Sequence, residues 1–316
     1  MSSHRKRSRP RCGDAVRAVR RPDGAVHVGP RRGAPVGVGL DNGFVGELGQ
    51  TEPRCVVKVG GSVGRTSFLW LEITGKCQLE CVQCYASSSP SGTHGSMSRA
   101  DWLRVLDDAG KLGVEMVQFI GGEPTLHPDL ADLVDHALGG GLAVEVFSNL
   151  VHVPDRLWEV FSRPGVSLAT SYYSDDPDQH AAVTGRPSYG RTRANIAEAL
   201  RRGIPLRAGV IDMGGGQRAK QAQAELAGLG VQAVGYDRLR QVGRGVRDQQ
   251  ASTAQLCGRC SDGVAAVSPD GAVWPCVFSR WLPVGNVLEE GCGRSSTVRR
   301  PRGCALSWRP RSLAGR

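Results

Sequence analysis

Short apolar runs alternate with longer stretches of helical periodicity from Ser67 onward. The runs are rich in β-branched and aromatic residues, which favours strands, and the stretches between them repeat apolar positions every three or four residues. Because each run is followed by a helical stretch, successive β-α units with parallel strands are predicted. The six predicted strands are Phe68–Ile73, Glu115–Ile120, Leu142–Phe147, Val166–Ser171, Ile204–Ile211 and Gln232–Tyr236.

Helix signals support this division of the chain. Ser98 is a predicted N-cap, Pro128 suits a first helical turn, and Gly203 and Gly230 follow the last turns of two further helices. Periodicity alone does not separate an open doubly wound sheet from a partial barrel. Both folds place their chemistry at the carboxyl ends of the strands.

The pattern changes after Gln250, where cysteines flank a predicted β-hairpin. The hairpin comprises Val264–Val267 and Ala272–Trp274, with a type I turn at Ser268–Gly271. The flanking cysteines are Cys257, Cys260 and Cys276. A small metal-stapled module appended to the β-α domain is therefore predicted.

Composition indicates a globular protein in a reducing compartment. With 316 residues, 40% of them hydrophobic, the chain can build a sizeable core. It has neither an apolar run long enough for a membrane helix nor the apolar stretch of a signal peptide, so we expect a cytoplasmic protein without a membrane partner. Ten cysteines in such a compartment favour metal or redox chemistry over a disulfide scaffold.

The formal charge of +10 is concentrated at the two ends of the chain. Residues 1–33 and 291–316 together carry +15, which leaves −5 on residues 34–290 and disfavours a nucleic-acid-binding groove. The expected organisation is a basic, largely disordered segment at 1–64, the β-α domain at 65–248, the cysteine-rich module at 249–290 and a disordered Arg-rich tail at 291–316.

Three cysteines directly after the first predicted strand carry the main chemical signal. Cys77, Cys81 and Cys84 are spaced C-x3-C-x2-C, whereas structural zinc sites usually come as paired C-x2-C knuckles. Soft thiolate ligands at close spacing favour an iron-sulfur cluster. Since a four-iron cluster normally takes four cysteines, three local ligands imply a distant fourth ligand or an iron left open for catalysis.

The triplet, with Tyr85 next to it, resembles the radical S-adenosylmethionine (SAM) superfamily. The resemblance implies a 4Fe-4S cluster on three cysteines, whose fourth iron chelates the methionine amino and carboxylate groups of SAM. It also implies reductive cleavage of SAM to a 5′-deoxyadenosyl radical that abstracts hydrogen from a substrate, and it favours the partial (β/α)6 TIM-type barrel over the open sheet.

A second match follows the second predicted strand, where Gly121, Gly122, Glu123 and Pro124 resemble the GGEP motif of that family. The glycines permit close backbone approach, and Glu123 can accept a hydrogen bond from the SAM ammonium group. Weaker matches add Ser148, Asn149, Ser171 and Arg186 as candidate SAM contacts, each of which is otherwise an ordinary polar loop or surface residue. No catalytic residue is assigned.

The C-terminal cysteines, followed by Pro283–Val287, resemble the SPASM or twitch-type modules of radical SAM enzymes. The resemblance implies an auxiliary iron-sulfur cluster on Cys257, Cys260 and Cys276, with Cys292 or Cys304 as the fourth ligand or with none. A zinc knuckle built on Cys257 and Cys260 is the alternative.

The resemblance to radical SAM enzymes with such a C-terminal module implies modification of a ribosomally made precursor peptide, with a ferredoxin or flavodoxin as electron donor. Dehydrogenation or rearrangement of a small molecule or sugar is the alternative enzyme activity. A non-catalytic zinc-binding regulator belongs to a different class and would need the basic ends to bind nucleic acid.

Overall fold

A computed structural model of the protein describes residues 66–247 and 252–289. The segments predicted to be disordered, 1–64 and 291–316, lie outside the described residues, as do Cys292 and Cys304. In the part of the chain that is described, no helix is both long and apolar enough to cross a membrane.

Six parallel strands lie side by side in the order of the chain. A doubly wound sheet reverses its strand order at a switch point, whereas a β/α barrel adds each strand on the same side of the last. The order β1 to β6 contains no reversal, so the fold is a partial (β/α)6 barrel, as predicted. The strands are β1 (Phe68–Thr74), β2 (Met116–Gly121), β3 (Ala143–Phe147), β4 (Val166–Tyr172), β5 (Leu206–Asp212) and β6 (Ala233–Arg238).

Helices between the strands follow the predicted signals at Ser98, Gly203 and Gly230. Pro128 lies outside the first turn, since the second helix begins at Leu130 with Asp129 as its N-cap. Ser98 caps the first helix in a capping box with Asp101, and the helix ends at Gly113 in the left-handed conformation. The helices are α1 (Arg99–Leu112), α2 (Leu130–Gly139), α3 (Asp155–Phe161), α4 (Pro177–Thr184), α5 (Tyr189–Arg201) and α6 (Ala219–Gly228).

Strand β5 begins two residues later than predicted. The Ile204 amide donates to the Ala199 carbonyl and closes the end of α5, and Pro205 has no N–H for a sheet ladder. The apolar run therefore includes two residues that belong to the helix end rather than to the strand.

The predicted hairpin forms with the predicted bounds and extends the barrel sheet. Strand β7 (Val264–Val267) pairs in parallel with β1, and β8 (Ala272–Trp274) and β9 (Gly285–Asn286) continue the sheet in antiparallel pairing. The C-terminal cysteines are thus connected through β7 to the strand that leads into the cysteine triplet.

The two faces of the sheet differ in polarity. Leu71, Phe119, Val146 and Leu168 are fully buried in the apolar core shared with the helices. Because side chains alternate along a strand, their neighbours point to the opposite, inner face. That face carries Glu72, Gln118, Glu145 and Arg207.

Candidate metal centre

The three cysteines lie in a loop of residues 75–93, the cysteine loop, which leaves the carboxyl end of β1. The two ends of the loop are tied together, since the Gly75 amide donates to the Thr93 carbonyl at 2.8 Å and the Cys77 amide donates to the Ser89 carbonyl at 3.0 Å. Main-chain bonds therefore fix the start of the loop at the edge where the strands end.

The GGEP segment is in direct contact with the start of this loop. The Gly122 amide donates to the Thr74 carbonyl at 2.7 Å, and the Glu123 amide donates to the Lys76 carbonyl at 2.8 Å. A Cβ atom at Gly122 would lie 2.2 Å from the Lys76 carbonyl oxygen, which excludes any side chain there. The structure thus brings together the two motifs that the sequence places after neighbouring strands.

The Glu123 side chain connects the second and third strand ends. It is fully buried, and Oε1 accepts hydrogen bonds from the Thr125 amide at 3.0 Å and the Ser148 hydroxyl at 2.8 Å, while Oε2 accepts one from the Asn149 amide at 2.8 Å. Burial raises the pKa of Glu123, although these donors act in the opposite direction. A carboxylate oxygen can accept two hydrogen bonds, so Oε2 keeps capacity for a further donor.

Asn149 connects the third strand end to the cysteine loop. Its side-chain nitrogen donates to the Cys77 sulfur at 3.6 Å, and its side-chain oxygen accepts from the Gln78 amide group at 3.1 Å. The Leu79 main-chain amide also donates to the Cys77 sulfur, at 3.4 Å. Both donors favour the thiolate form of Cys77, which is the form that binds a metal.

The three thiols influence one another electrostatically. Burial is the largest cause that raises the pKa of Cys77 to about 12, and the Glu123 and Cys84 charges add to it. The pKa of Cys81 is also raised to about 12, by burial first and then by the charges of Cys84 and Cys77. One buried and two half-buried thiolates in one loop require positive charge beside them, which the irons of a cluster would supply.

Among the described residues, no three His, Cys, Asp or Glu side chains form a group suited to a single metal ion. In a four-iron cluster each thiolate binds a different iron, so its ligands lie further apart than those of one ion. The C-x3-C-x2-C spacing of the triplet also differs from the paired C-x2-C knuckles of structural zinc sites.

Two more segments hold the outer side of the loop. At the end of α4, the Thr184 carbonyl accepts from the Glu80 amide at 3.1 Å. After β6, the Arg244 side chain donates from Nε to the Cys81 carbonyl at 2.9 Å and from Nη2 to the Ser88 carbonyl at 2.7 Å. Sequence reasoning missed Arg244, although the glycines on both sides of it are a signal of close backbone approach.

The remaining predicted contacts take different positions. Ser171 lies near the end of β4, Pro124 opens a short 3-10 turn after Gly122 and Glu123, and the Tyr85 ring packs edge-on against Phe278 with centroids 5.4 Å apart. Arg186 pairs with Glu80 of the cysteine loop at 2.6 Å, and both side chains are about half exposed.

The inner face carries polar groups that sequence reasoning did not assign. Glu145 accepts two hydrogen bonds from Arg207, both at 2.7 Å, and a third from the Gln118 side chain. Glu72 pairs with Arg280, and the Tyr85 side chain lies within reach of the same carboxylate. Alternation along β1, β2, β3 and β5 was the available signal for this polar lining.

The C-terminal cysteines form a looser group. The sulfurs of Cys260 and Cys276 lie 3.5 Å apart, while Cys257 is exposed. A tetrahedral ion with metal-sulfur distances of about 2.3 Å separates two thiolates by about 3.8 Å. The pair is thus close to the geometry of two ligands on one metal atom. The hydrogen bond with Cys260 is the main cause that lowers the pKa of Cys276 to about 7.

Comparison with known proteins agrees with this geometry. Residues 71–224 match the family model of the radical SAM superfamily. A PqqA peptide cyclase from Xanthomonas campestris pv. campestris (strain B100) is 31% identical over 138 residues, which cover 43% of this chain and 37% of the cyclase. The chain thus spans just over a third of that relative.

Solved structures share the fold at low sequence identity. Streptococcus suis SuiB bound to S-adenosylmethionine superimposes with a TM-score of 0.59 and 15% identity, over 71% of this chain and 63% of SuiB. SuiB bound to its precursor peptide SuiA gives a TM-score of 0.55 and 14% identity, over 71% of this chain and 62% of that one.

Proposed function

Because this chain carries a radical SAM domain across residues 71–224, we propose that it is an enzyme that cleaves SAM at a 4Fe-4S cluster and modifies a peptide. Cys77, Cys81 and Cys84 would hold the cluster. One observation carries the proposal: the cysteine loop and the Gly121–Glu123 segment are hydrogen-bonded to each other at the carboxyl end of the barrel.

When bound, a reduced cluster would supply the one electron that cleaves SAM into methionine and a 5′-deoxyadenosyl radical, and that radical would remove a hydrogen atom from the substrate. The residues of the protein would hold the cluster and orient SAM. The main-chain bonds of Gly122 and Glu123 fix the edge on which SAM would lie, and Asn149 orients the Cys77 sulfur. Buried Glu123 excludes water from the junction of the three strand ends.

The SAM contacts belong to this proposal. Oε2 of Glu123 has the capacity to accept a hydrogen bond from the SAM ammonium group. Gly121 and Gly122 directly precede it at the end of β2, and we include their main chain among the proposed contacts. We include Tyr85, Pro124, Ser148, Asn149 and Ser171 among the proposed SAM contacts. Arg186 reaches the SAM carboxylate only if it leaves its ion pair with Glu80.

We also propose a second metal site on Cys257, Cys260 and Cys276, occupied by an auxiliary iron-sulfur cluster. The 3.5 Å separation of two of the sulfurs suits two ligands of one metal atom, as in a two-iron cluster, and is too short for two ligands of a four-iron cluster. It suits a zinc ion equally well, so elemental analysis decides between the two occupants.

A precursor peptide is the proposed substrate. SuiB, which shares the fold, has been crystallised with its precursor peptide, and the matched relative is a peptide cyclase. The polar inner face, with Glu145, Gln118 and Arg207, can bind peptide amides and carbonyls beside the strand ends. A ferredoxin or flavodoxin is the proposed electron donor. The reducing cytoplasm is the proposed location.

The test is anaerobic reconstitution with iron and sulfide, followed by incubation with SAM and dithionite. The wild-type protein is expected to release 5′-deoxyadenosine, and Cys81→Ala is expected to release none, because two thiolates hold a four-iron cluster poorly. Cys257→Ala serves as the matched control, since it removes a thiol from the other site.

Release of 5′-deoxyadenosine by Cys81→Ala at the wild-type rate would contradict the cluster assignment. A wild-type protein that binds zinc, contains no acid-labile sulfide and cleaves no SAM would favour a metal-binding regulator instead. Addition of candidate precursor peptides, with mass spectrometry of the products, then tests the substrate class.

A further inference from the structure

A five-residue turn after β6, Val242–Val246, approaches the cysteine loop closely. The Arg244 amide donates to the Cys84 carbonyl at 3.0 Å. A Cβ atom at Gly243 would lie 2.2 Å from the Tyr85 carbonyl oxygen, and Gly243 has a left-handed φ of 57°. Only glycine fits there, so the turn is built to bring the following arginine to the loop.

The Arg244 side chain then spans the loop. Its Nε and Nη2 atoms donate to the carbonyls of Cys81 and Ser88, which are seven residues apart in the chain. Together with the main-chain bond to Cys84, these contacts fix the main chain at two of the three cluster cysteines. A guanidinium is suited to this task, since its planar fork reaches two acceptors at once.

The guanidinium also brings a positive charge to the cysteines. It is half-buried and donates to the Cys81 carbonyl, so the charge lies beside one of the three cluster ligands.

We propose that Arg244 is a positioning residue of the cluster that also sets its reduction potential. This inference rests on the proposed function, because it requires a cluster on the three cysteines. A low-potential one-electron donor adds one electron to the cluster, and its charge becomes more negative by one unit. A fixed positive charge at short range in a partly buried site stabilises the reduced form more than the oxidised form.

The test compares three variants with wild type after anaerobic reconstitution, using redox titration monitored by electron paramagnetic resonance. Arg244→Gln removes the charge, Arg244→Lys keeps the charge and loses the planar fork, and Arg240→Gln is the matched control. Arg240 lies four residues earlier and also binds a main-chain carbonyl, but its charge is balanced by Asp237 at 2.8 Å. All variants carry Cys257→Ala and Cys276→Ala, so that only one cluster contributes to the signal.

Arg244→Gln is expected to shift the midpoint potential to a more negative value and to lower the iron and sulfide bound per chain. Arg244→Lys is expected to restore the potential and to leave the iron content below wild type. Arg240→Gln is expected to change neither. If Arg244→Gln binds no cluster, Arg244→Lys decides: a cluster at the wild-type potential supports the proposal, and the absence of a cluster overturns the role of the charge.

Wild-type potential and iron content in Arg244→Gln would overturn the inference and leave the proposed function intact. A reference protein that forms no cluster at all would instead contradict the proposed function.

Discussion

The described residues include two groups of three cysteines, and the protein holds them in different ways. The cysteine loop is fixed on several sides, by the GGEP segment, by Asn149 and by Arg244. In the C-terminal segment two sulfurs lie 3.5 Å apart and the third cysteine, Cys257, is exposed. The barrel imposes the shape of the first site, whereas a metal would have to complete the second.

The difference follows from where each group is attached. The first group follows a central strand of the sheet, so the ends of β2 and β3 flank it. The second lies before and after the hairpin of β7 and β8, and β9, which pairs with β8, is at the edge of the sheet. Fewer elements surround an edge, and less of the geometry there is determined by packing.

The largest expected effect is that of a side chain at the junction of the first site. Gly122→Ala forces the Lys76 carbonyl to move, since the added Cβ would lie 2.2 Å from it. We expect a loss of about 2–3 kcal/mol in the free energy of unfolding and loss of the first cluster. Denaturant unfolding and iron analysis measure both.

Gly139→Ala is the control for this substitution. Nothing lies within 4 Å of a Cβ atom there, at the end of α2, so stability should stay the same or rise by up to about 1 kcal/mol. Equal stability and iron content in the two variants would show that the close contact at Gly122 is unimportant.

Removal of the second group should have a smaller effect on activity. The Cys257→Ala and Cys276→Ala double variant is expected to lose one metal site and to keep SAM cleavage, because none of the contacts that hold the cysteine loop involves these side chains. Iron, zinc and sulfide per chain identify the lost occupant. An unchanged metal content would show that the second site does not exist.

A pH effect is expected from the histidines beside the first site. Burial is the main cause that lowers the pKa of His127 from 6.5 to about 4, and its ring packs 5.0 Å from that of His94. His127 binds a proton more readily in the unfolded chain than in the folded one. The free energy of unfolding is therefore highest above pH 6.5 and falls as the pH drops towards 4.

His127→Asn should reduce this dependence of stability on pH. The expected change in the free energy of unfolding over this pH range is up to about 2 kcal/mol after allowance for solvent screening. The Asp129 amide donates a hydrogen bond to the His127 ring at 3.2 Å. The side-chain oxygen of Asn can accept the same hydrogen bond. Melting temperatures of the apoprotein between pH 5 and 7 are the measurement. The same slope in both proteins would assign the acid sensitivity to other groups.

The smallest effect is expected at Arg186. Its ion pair with Glu80 is about half exposed on both sides, so Arg186→Gln should change stability by less than about 1 kcal/mol. SAM affinity, measured by calorimetry on the reconstituted protein, shows whether Arg186 binds the ligand. An unchanged affinity would remove Arg186 from the candidate SAM contacts.

Periodicity was sufficient for the order of the elements, because buried parallel strands and amphipathic helices leave clear patterns. It located the hairpin at Val264–Val267 and Ala272–Trp274 and placed β5 two residues too early. Periodicity left barrel and open sheet undecided, since that difference lies in the strand order. Strand order is a property of long-range pairing.

The motifs of the site were visible in the sequence, but the residues that support them were not. Asn149 appeared only as a candidate SAM contact, although in the structure it donates to the Cys77 sulfur. Arg244 is 160 residues away from Cys84 in the chain, and its contacts with the loop arise from the fold. Local patterns do not report such distant contacts.

The most direct test of the central claim uses the Cys257→Ala and Cys276→Ala double variant, which keeps Cys77, Cys81 and Cys84 and leaves Cys260 as the one described cysteine of the second group. Its reduced cluster is examined by electron paramagnetic resonance with and without SAM. If SAM binds the open iron of a cluster held by these residues, the spectrum changes when SAM is added, and the signal is absent when Cys81 is also replaced by Ala. A spectrum that SAM leaves unchanged, or a signal that survives the loss of Cys81, would contradict the assignment.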